Sequence, residues 1–493
     1  MRRTWILMAA CAITLSAVEA FACTGLLVGK KASVDGSVMI SYAADSHTLY
    51  GELYRWPAVT WPKGAMLDII EWDTHKPLGQ IPQVEQTYSV VGNMNEHQVA
   101  ITESTFGGRS ELVDTTGIMD YGSLIYVTLQ RSKTAREAIR IMTDLVKDYG
   151  YYSSGETFSI ADKNEAWVME MIGKGPGNKG AVWVAIRIPD DCISAHANQS
   201  RIQQIPFDDK ENCIYSPDVV SFAREKGYFS GRDKDFSFQK AYCPYDFSAL
   251  RGCEARVWSF FRKYDKSMDQ YTDLIKGDVT KKPMPLYVKP NRLLSVQDVQ
   301  NGMRDHFEGT DLDMTKDAGA GPYKVPYRWR PMTFEVDGQE YTNERAIATQ
   351  QTGFVIVPQM RNWLPDAVGG ILWFGVDDAD MAVFTPIYCS VTASPECYRV
   401  GNGDMMNFSW TSAFWIHNWV ANMAYGKYNY MIQDIRSVQQ ELENGYQQTI
   451  PAIDKAASEL YAKNPAEAVK FLTWFSSTTA DQATARWKKL GEY

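Results

Sequence analysis

Cys23 follows Glu19-Ala20-Phe21-Ala22, with alanine at the last and third-last positions before it. That run closes a segment headed by Arg2 and Arg3 and carried by an apolar stretch from Trp5 to Val18. The arrangement has the form of a secretory signal peptide with an A-x-A cleavage site. Cleavage after Ala22 would make Cys23 the first residue of the mature chain, with its thiol and a free α-amino group on one residue. Such an amine has an ordinary pKa of roughly 7.7–8.0. Near neutral pH it can take the thiol proton and later return it to a leaving amine. Nucleophile and general base then share one residue, and no separate histidine is required. Two other fates of the segment stand beside this one. As a membrane anchor the stretch is short against the roughly 20 apolar residues a span needs. As a lipoprotein signal it offers Ala20 and Phe21 where an aliphatic and a small residue are wanted. The expected location is therefore outside the cytoplasm, in the periplasm or the extracellular space.

The other cysteines are Cys11, inside the leader, and Cys192, Cys213, Cys243, Cys253, Cys389 and Cys397. An exported protein meets an oxidising compartment, so these last six allow up to three disulfides. Near neighbours, Cys243 with Cys253 and Cys389 with Cys397, are the simplest pairing. No C-x-x-C pair accompanies a matching histidine pair, so no metal is expected, and a nucleophile with its own base needs no organic cofactor. The chain has 493 residues, 45% hydrophobic and 22% charged, which suits a globular protein with a sizeable core and excludes a disordered or collagen-like one. A net charge of −9 leaves no basic surface for a nucleic-acid partner. No run after the leader is long and apolar enough to cross a bilayer, so no membrane contact is expected after cleavage. Self-association is left open.

Something must hold Cys23 in place. Residues 24–30 and 37–42, separated by the turn Val34-Asp35-Gly36, read as a hairpin, which would put the cysteine at the tip of a buried strand. Residues 54–64, rich in Pro and Trp, read as a loop. Further strands are expected at 87–91 and 98–102 around the turn at 93–96, then at 157–161, 166–171, 181–188, 353–357, 370–376 and 381–387. Residues 106–109 read as a loop. Helices are expected at 124–130, at 135–147 with Thr134 and Glu137 at capping-box spacing, at 256–262 and at 296–305. From 411 onward the pattern turns helical through 425, 430–443 and 451–461, ending near Trp474. Strands and helices in blocks predict an α+β protein in packed layers. The expected divisions are a leader at 1–22, a catalytic domain at 23–404 and a helical C-terminal region at 405–493.

The ordered stretches resemble a known family. These are Cys23-Thr24 with Leu27-Val28-Gly29-Lys30-Lys31-Ala32-Ser33 and Asp35-Gly36-Ser37; Met94-Asn95-Glu96 with Val99-Ala100-Ile101; Lys133-Thr134-Ala135-Arg136-Glu137-Ala138; Glu165-Ala166-Trp167-Val168; Ala197-Asn198-Gln199; Arg304-Asp305-His306-Phe307-Glu308-Gly309-Thr310; Gly369-Gly370-Ile371-Leu372-Trp373; and Ala421-Asn422-Met423-Ala424-Tyr425. They resemble the cysteine dipeptidases of the dipeptidase A type, N-terminal-nucleophile hydrolases related to choloylglycine hydrolases and penicillin V acylases. The resemblance implies a four-layer αββα fold and hydrolysis of dipeptides with broad side-chain tolerance. It matches Cys23 to the nucleophile, Asp45 to an acid that orients the nucleophile's amine, Asn198 to an asparagine near the oxyanion or the amine, and Arg256 to an arginine of the same pocket.

The likeness has gaps. Where many relatives carry an arginine shortly before the acid, this chain reads Tyr42-Ala43-Ala44-Asp45. Either Arg256 supplies that charge or the thiol is less activated. The oxyanion asparagine of choloylglycine hydrolases falls, by register, at Ser104-Thr105, beside Glu103. A hydroxyl or a backbone N–H would have to replace it. Glu103 or Asp45 would receive the substrate ammonium, with Thr105 beside it, and Arg256 the substrate carboxylate. His306 reads as a structural histidine. The expected function is an exported dipeptidase working through a thioester. The alternatives are an amidase of N-acyl amides, of the bile-salt or penicillin V kind, and a non-catalytic exported lipoprotein.

Overall fold

The computed structural model describes residues 23–328 and 332–493; the expected leader at 1–22 lies outside the described residues. The chain is α+β. One eight-stranded sheet runs in the order Tyr287–Val288, Ile193–His196, Gly25–Val28, Val38–Ile40, Thr352–Met360, Gly370–Val376, Thr385–Tyr388, and Tyr42–Asp45 pairs with Thr352–Met360 off this path. A second runs Cys213–Tyr215, Ala181–Ile188, Ala166–Gly173, Gly155–Ala161, Ala100–Gly107, Met94–Asn95, Val90–Val91, Arg55–Trp56. Both are antiparallel throughout.

Both faces of the strand after the cysteine are covered, which is why Gly25–Val28 reads as an unbroken apolar run. Its alternation sorts the side chains. Leu27, with Val38 and Ile40, packs on Ala100, Val168 and Val184 of the second sheet. Leu26 and Val28 turn the other way, onto Val257, Phe260 and Phe261 of the helix Ala255–Tyr264 and Val299 and Met303 of Val296–Met303. The outer face of the second sheet, through Ile101, Phe158 and Trp167, is closed by Leu124 of Tyr121–Leu129 and Ile139 and Met142 of Ala135–Tyr149. Each fully buried aliphatic or aromatic side chain here contributes about 1.5–3 kcal/mol. Polar groups cross between the sheets too. Ser104 and Ser159 of the second sheet hydrogen-bond the two ring nitrogens of His196 in the first, at 2.6 and 2.7 Å.

The hairpin is present, with Leu27 opposite Ile40, but it ends at Ile40, and Tyr42–Asp45 is a separate strand. Thr134 caps its helix by accepting the Glu137 N–H at 3.1 Å, while Glu137 reaches back to the Lys133 N–H, one residue further than a capping box. The span 54–64 is not a plain loop. It holds the strands Arg55–Trp56 and Val59–Thr60, and a hairpin of Met66–Ile70 with Pro77–Pro82 follows. Residues 106–107 extend the strand Ala100–Gly107. Beyond Ala413–Tyr425, the helix Tyr428–Lys463 runs straight through Pro451, and Pro465–Glu492 continues well past Trp474. Arg304 and Glu443, both buried, pair at 2.5 Å and tie this long helix to the sheet, since Glu443 also accepts the Phe384 N–H at 3.1 Å.

The neighbour-pairing of cysteines is not met: Cys192, Cys213, Cys243, Cys253, Cys389 and Cys397 are all thiols. Their surroundings explain it. Cys389 packs between the sheets with its Sγ on the Asp366 carbonyl, while Cys397 belongs to the other core. Cys243 turns its Sγ to the Phe106 carbonyl at 3.7 Å.

Gly25 sits against the His196 ring, where a Cβ would stand 2.6 Å from Cε1 and Nε2. Gly25→Ala is expected to destabilise the fold by about 1–3 kcal/mol through overpacking. The midpoint of urea unfolding reads this directly, and an unshifted midpoint would contradict the packing described.

Candidate active site

Cys23 leads into the strand Gly25–Val28 and is almost wholly buried. Thr24 bridges to Ala43 of the neighbouring strand, its carbonyl accepting the Ala43 N–H at 3.0 Å. That bridge brings Tyr42 and Asp45 to the cysteine. The Sγ lies 3.5 Å from Glu103 Oε1 and 3.7 Å from the Tyr42 hydroxyl, and Tyr42 donates a short hydrogen bond to the same Glu103 oxygen.

Arg256 comes from the first turn of Ala255–Tyr264, after a π-helical turn at Leu250–Glu254. Its five donor hydrogens match five acceptors. Nε meets the Gly252 carbonyl at 2.7 Å. Nη1 meets the Cys23 carbonyl and the Thr24 hydroxyl, both at 2.7 Å, and Nη2 meets the Ala197 carbonyl at 3.2 Å and Asn198 Oδ1 at 2.9 Å. The guanidinium therefore clamps the backbone of the cysteine rather than facing a substrate, which corrects the expectation that it meets the substrate carboxylate. Asn198 adopts a left-handed φ of 57°, tolerated by asparagine. Its Nδ2 donates to the Thr105 carbonyl at 2.7 Å and its backbone N–H to Ser104 Oγ at 3.3 Å. Asp45 accepts from Arg345 at 2.5 Å and from the Thr352 hydroxyl at 2.6 Å. Thr105 spends its hydroxyl on Glu156, at 2.7 Å. The structure thus gathers Cys23, Asp45, Glu103, Thr105, Asn198 and Arg256 in one place. Of these, Cys23, Asp45, Glu103 and Thr105 line the cleft, and Arg256 lies behind it. His306 lies elsewhere, buried, with its ring against Glu308 and Tyr327.

The electrostatics are those of a held proton. Burial pushes the Cys23 thiol well up, with Glu103 and Asp45 adding to it, while the Asp45 N–H and the Tyr42 hydroxyl pull weakly the other way. Arg256 spends its five donors on the cysteine's backbone and its neighbours rather than on the sulfur. Glu103 is raised by burial and held back by the Tyr42 hydroxyl. Glu156 is pushed well up by burial and then by Glu103. The Oε2 atoms of both glutamates are buried without a donor among the described residues. One proton held by Glu156 and donated to Glu103 satisfies both. His196, lowered to about 3 chiefly by burial, is neutral and serves to fix Ser104 beneath Asn198.

The sequence reading missed Tyr42, Glu156, Arg345 and Thr352. Glu156 had a signal, an acid inside the otherwise apolar and hydroxylic run Gly155–Ala161. Tyr42 shares a strand with Asp45. Arg345 and Thr352 arrive from some 300 residues away, and no local pattern marks them. The cleft, of about 850 Å³, was missed as well. Its walls carry Tyr54, Trp56, Trp72 and Tyr126, with ring centroids 4.2 Å apart for Trp56–Tyr126, 4.6 Å for Trp72–Tyr126 and 4.9 Å for Tyr54–Trp72.

Known proteins match this chain over most of its length. Residues 22–55 and 52–441 match peptidase family C69. A protein of Latilactobacillus sakei named "Probable dipeptidase" is 27% identical over 480 residues, covering 92% of this chain and 91% of that one. A "Probable dipeptidase" of Salmonella dublin is 26% identical over 401 residues, 76% of this chain and 83% of its own. "Dipeptidase A" of Lactobacillus helveticus is 24% identical over 450 residues, 86% and 85% respectively.

The buried glutamate pair sets a pH dependence. A carboxyl raised in the folded state keeps a proton that the unfolded chain releases above about pH 4.5, so its stabilisation is present at low pH and fades as pH rises toward its folded value. Glu156→Gln, which supplies an amide donor without the titration, should lose less stability than the parent as pH rises above about 4.5. Urea midpoints across that range are the check. Parallel declines in parent and variant would refute the shared proton.

Proposed function

The chain belongs to peptidase family C69, and from that premise we propose that it is an exported dipeptidase whose nucleophile is the thiol of Cys23. Removal of residues 1–22 during export frees the α-amino group and places the mature protein in the periplasm or outside the cell. The two facing sheets and the helices on their outer sides are read as the four-layer αββα sandwich of N-terminal-nucleophile hydrolases. The observation that carries the proposal is the buried Cys23 thiol lining an aromatic cleft, with Glu103 at 3.5 Å and the carbonyl of Cys23 clamped by Arg256. The names of the similar proteins from L. sakei, S. dublin and L. helveticus support it.

The chemistry follows from those positions. A thiol held neutral needs a base, and the freed amine on the same residue is the nearest one. It takes the thiol proton as sulfur attacks the peptide carbonyl carbon. The tetrahedral oxyanion accepts from backbone N–H groups, and Asn198, held by Arg256 on its Oδ1 and by the Thr105 carbonyl on its Nδ2, would have to turn an N–H from these partners to add to them. The C–N bond then breaks, the leaving amine receives the proton, and the acyl group stays on sulfur as a thioester. Water adds to that carbonyl, the C–S bond breaks and the thiol is restored. Glu103, reaching the cleft beside the sulfur, takes the substrate's ammonium. One sheet carries the strand ending at Asp45, the strand leading to Asn198 and the strand that follows Cys23, so the groups are pre-positioned for attack.

Cys23→Ser should lower kcat by about three orders of magnitude or more while leaving the circular dichroism spectrum and unfolding midpoint near those of the parent. Retained turnover would remove Cys23 from the mechanism. An N-acetylated dipeptide should be cleaved at least about 100-fold more slowly than the free one, because a buried carboxylate loses its ionic partner. Equal rates would favour the N-acyl amidase instead.

A further inference from the structure

The composition of the cleft, taken with the dipeptidase reading on which this rests, says which dipeptides enter it. Among its described lining residues are six carboxylate-bearing side chains, Asp45, Glu52, Asp68, Glu71, Asp73 and Glu103, and no lysine or arginine. The two guanidiniums nearest the thiol are already engaged, Arg256 on the cysteine backbone and Asn198, Arg345 on Asp45. The hairpin of Met66–Ile70 with Pro77–Pro82 carries the acid–aromatic–acid triplet Glu71-Trp72-Asp73 in its turn. Asp73 is held by the Tyr121 hydroxyl at 2.9 Å and Glu71 by the Thr74 hydroxyl. Glu52 accepts from the Tyr54 hydroxyl at 3.0 Å and the Gly401 N–H at 3.1 Å. The hydroxyl and N–H donors to Glu52 and Glu71 are neutral and leave their charge in place, whereas Asp45 shares its charge with Arg345.

We propose that this cleft selects dipeptides carrying a lysine or arginine side chain in addition to their free ammonium, and turns away those carrying aspartate or glutamate. The rings of Tyr54, Trp56 and Trp72 take the aliphatic stem and the face-on cation, and the turn carboxylates supply the opposing charge. A single-signed field in a cleft with low-dielectric walls is stronger than the same charges on an open surface. An acidic side chain would enter the same field with no lysine or arginine among the described lining residues to receive it.

The test compares kcat/KM for Ala-Lys, Ala-Gln and Ala-Glu, and for Lys-Ala and Glu-Ala, on the purified full protein. The lysyl-to-glutamyl ratio is expected to be about 100-fold at low ionic strength and to fall several-fold in 0.5 M NaCl as the field is screened. The double substitution Glu71→Gln with Asp73→Asn should cut that ratio about tenfold. Should the variant fail to fold, the salt dependence of the parent still decides. A ratio near one, or glutamyl substrates preferred, with Ala-Gln still cleaved, overturns the charge selection and leaves the peptidase reading standing. If no dipeptide is cleaved, the peptidase reading falls, and tryptophan-fluorescence titration of the Cys23→Ser chain then judges the selection alone. Tighter binding of Ala-Lys than of Ala-Glu supports it, and equal binding overturns it.

Discussion

Everything at the site depends on one guanidinium. Arg256 is fully buried, and a buried cation is tolerable only if its donors are matched. Here all five are, and two of the acceptors are the carbonyl of Cys23 and the side-chain oxygen of Asn198. The requirement that this charge be satisfied therefore fixes the start of one strand and the asparagine after another in a single frame. The helix that delivers it is held against the same strand by Val257, Phe260 and Phe261. Packing and polar satisfaction agree, and neither would position the sulfur alone.

The surroundings of the sulfur differ from those in which reactive thiols are commonly found. Reactive cysteines commonly sit in electropositive pockets, whereas this one faces a carboxylate, a tyrosine hydroxyl and a second carboxyl behind the first. An acidic surround favours the protonated form of the thiol, which is why the proposed mechanism draws its base from the residue itself. Under the proposed function, the glutamate that disfavours the thiolate is also the group offered to a substrate's ammonium, which would join docking of the cation to relief of the sulfur's neighbour.

Much of this was legible in the chain. The strand after Cys23, the long strands at 166–173 and 370–376, and the capped helix from 135 follow from alternation, apolar runs and a Thr–Glu spacing that local physics reads well. Cys23 stood out because a small-residue cleavage pattern ends on it. Asn198 and Arg256 came from resemblance, and the structure puts them in hydrogen-bond contact with each other. What stayed hidden was non-local. Arg345 and Thr352 reach Asp45 across some 300 residues, and Glu156 meets Glu103 only because two strands pair in one register. The wall of the cleft was misread because short, Pro-containing strands carry almost no alternation, and the helix across Pro451 because proline usually ends one.

The pair between Arg304 and Glu443 has a consequence for how the chain comes apart. Glu443 sits midway along the helix Tyr428–Lys463 and accepts from four donors in the body of the protein, two from Arg304, the Gln297 amide and the Phe384 N–H. Peeling that helix away would break this ion pair and expose the apolar side chains of Ile435, Val438 and Ile450 that the helix buries. The tail is thus thermodynamically fused to the sheet beneath it. Heat or denaturant should melt both in one cooperative step rather than fraying the chain end first.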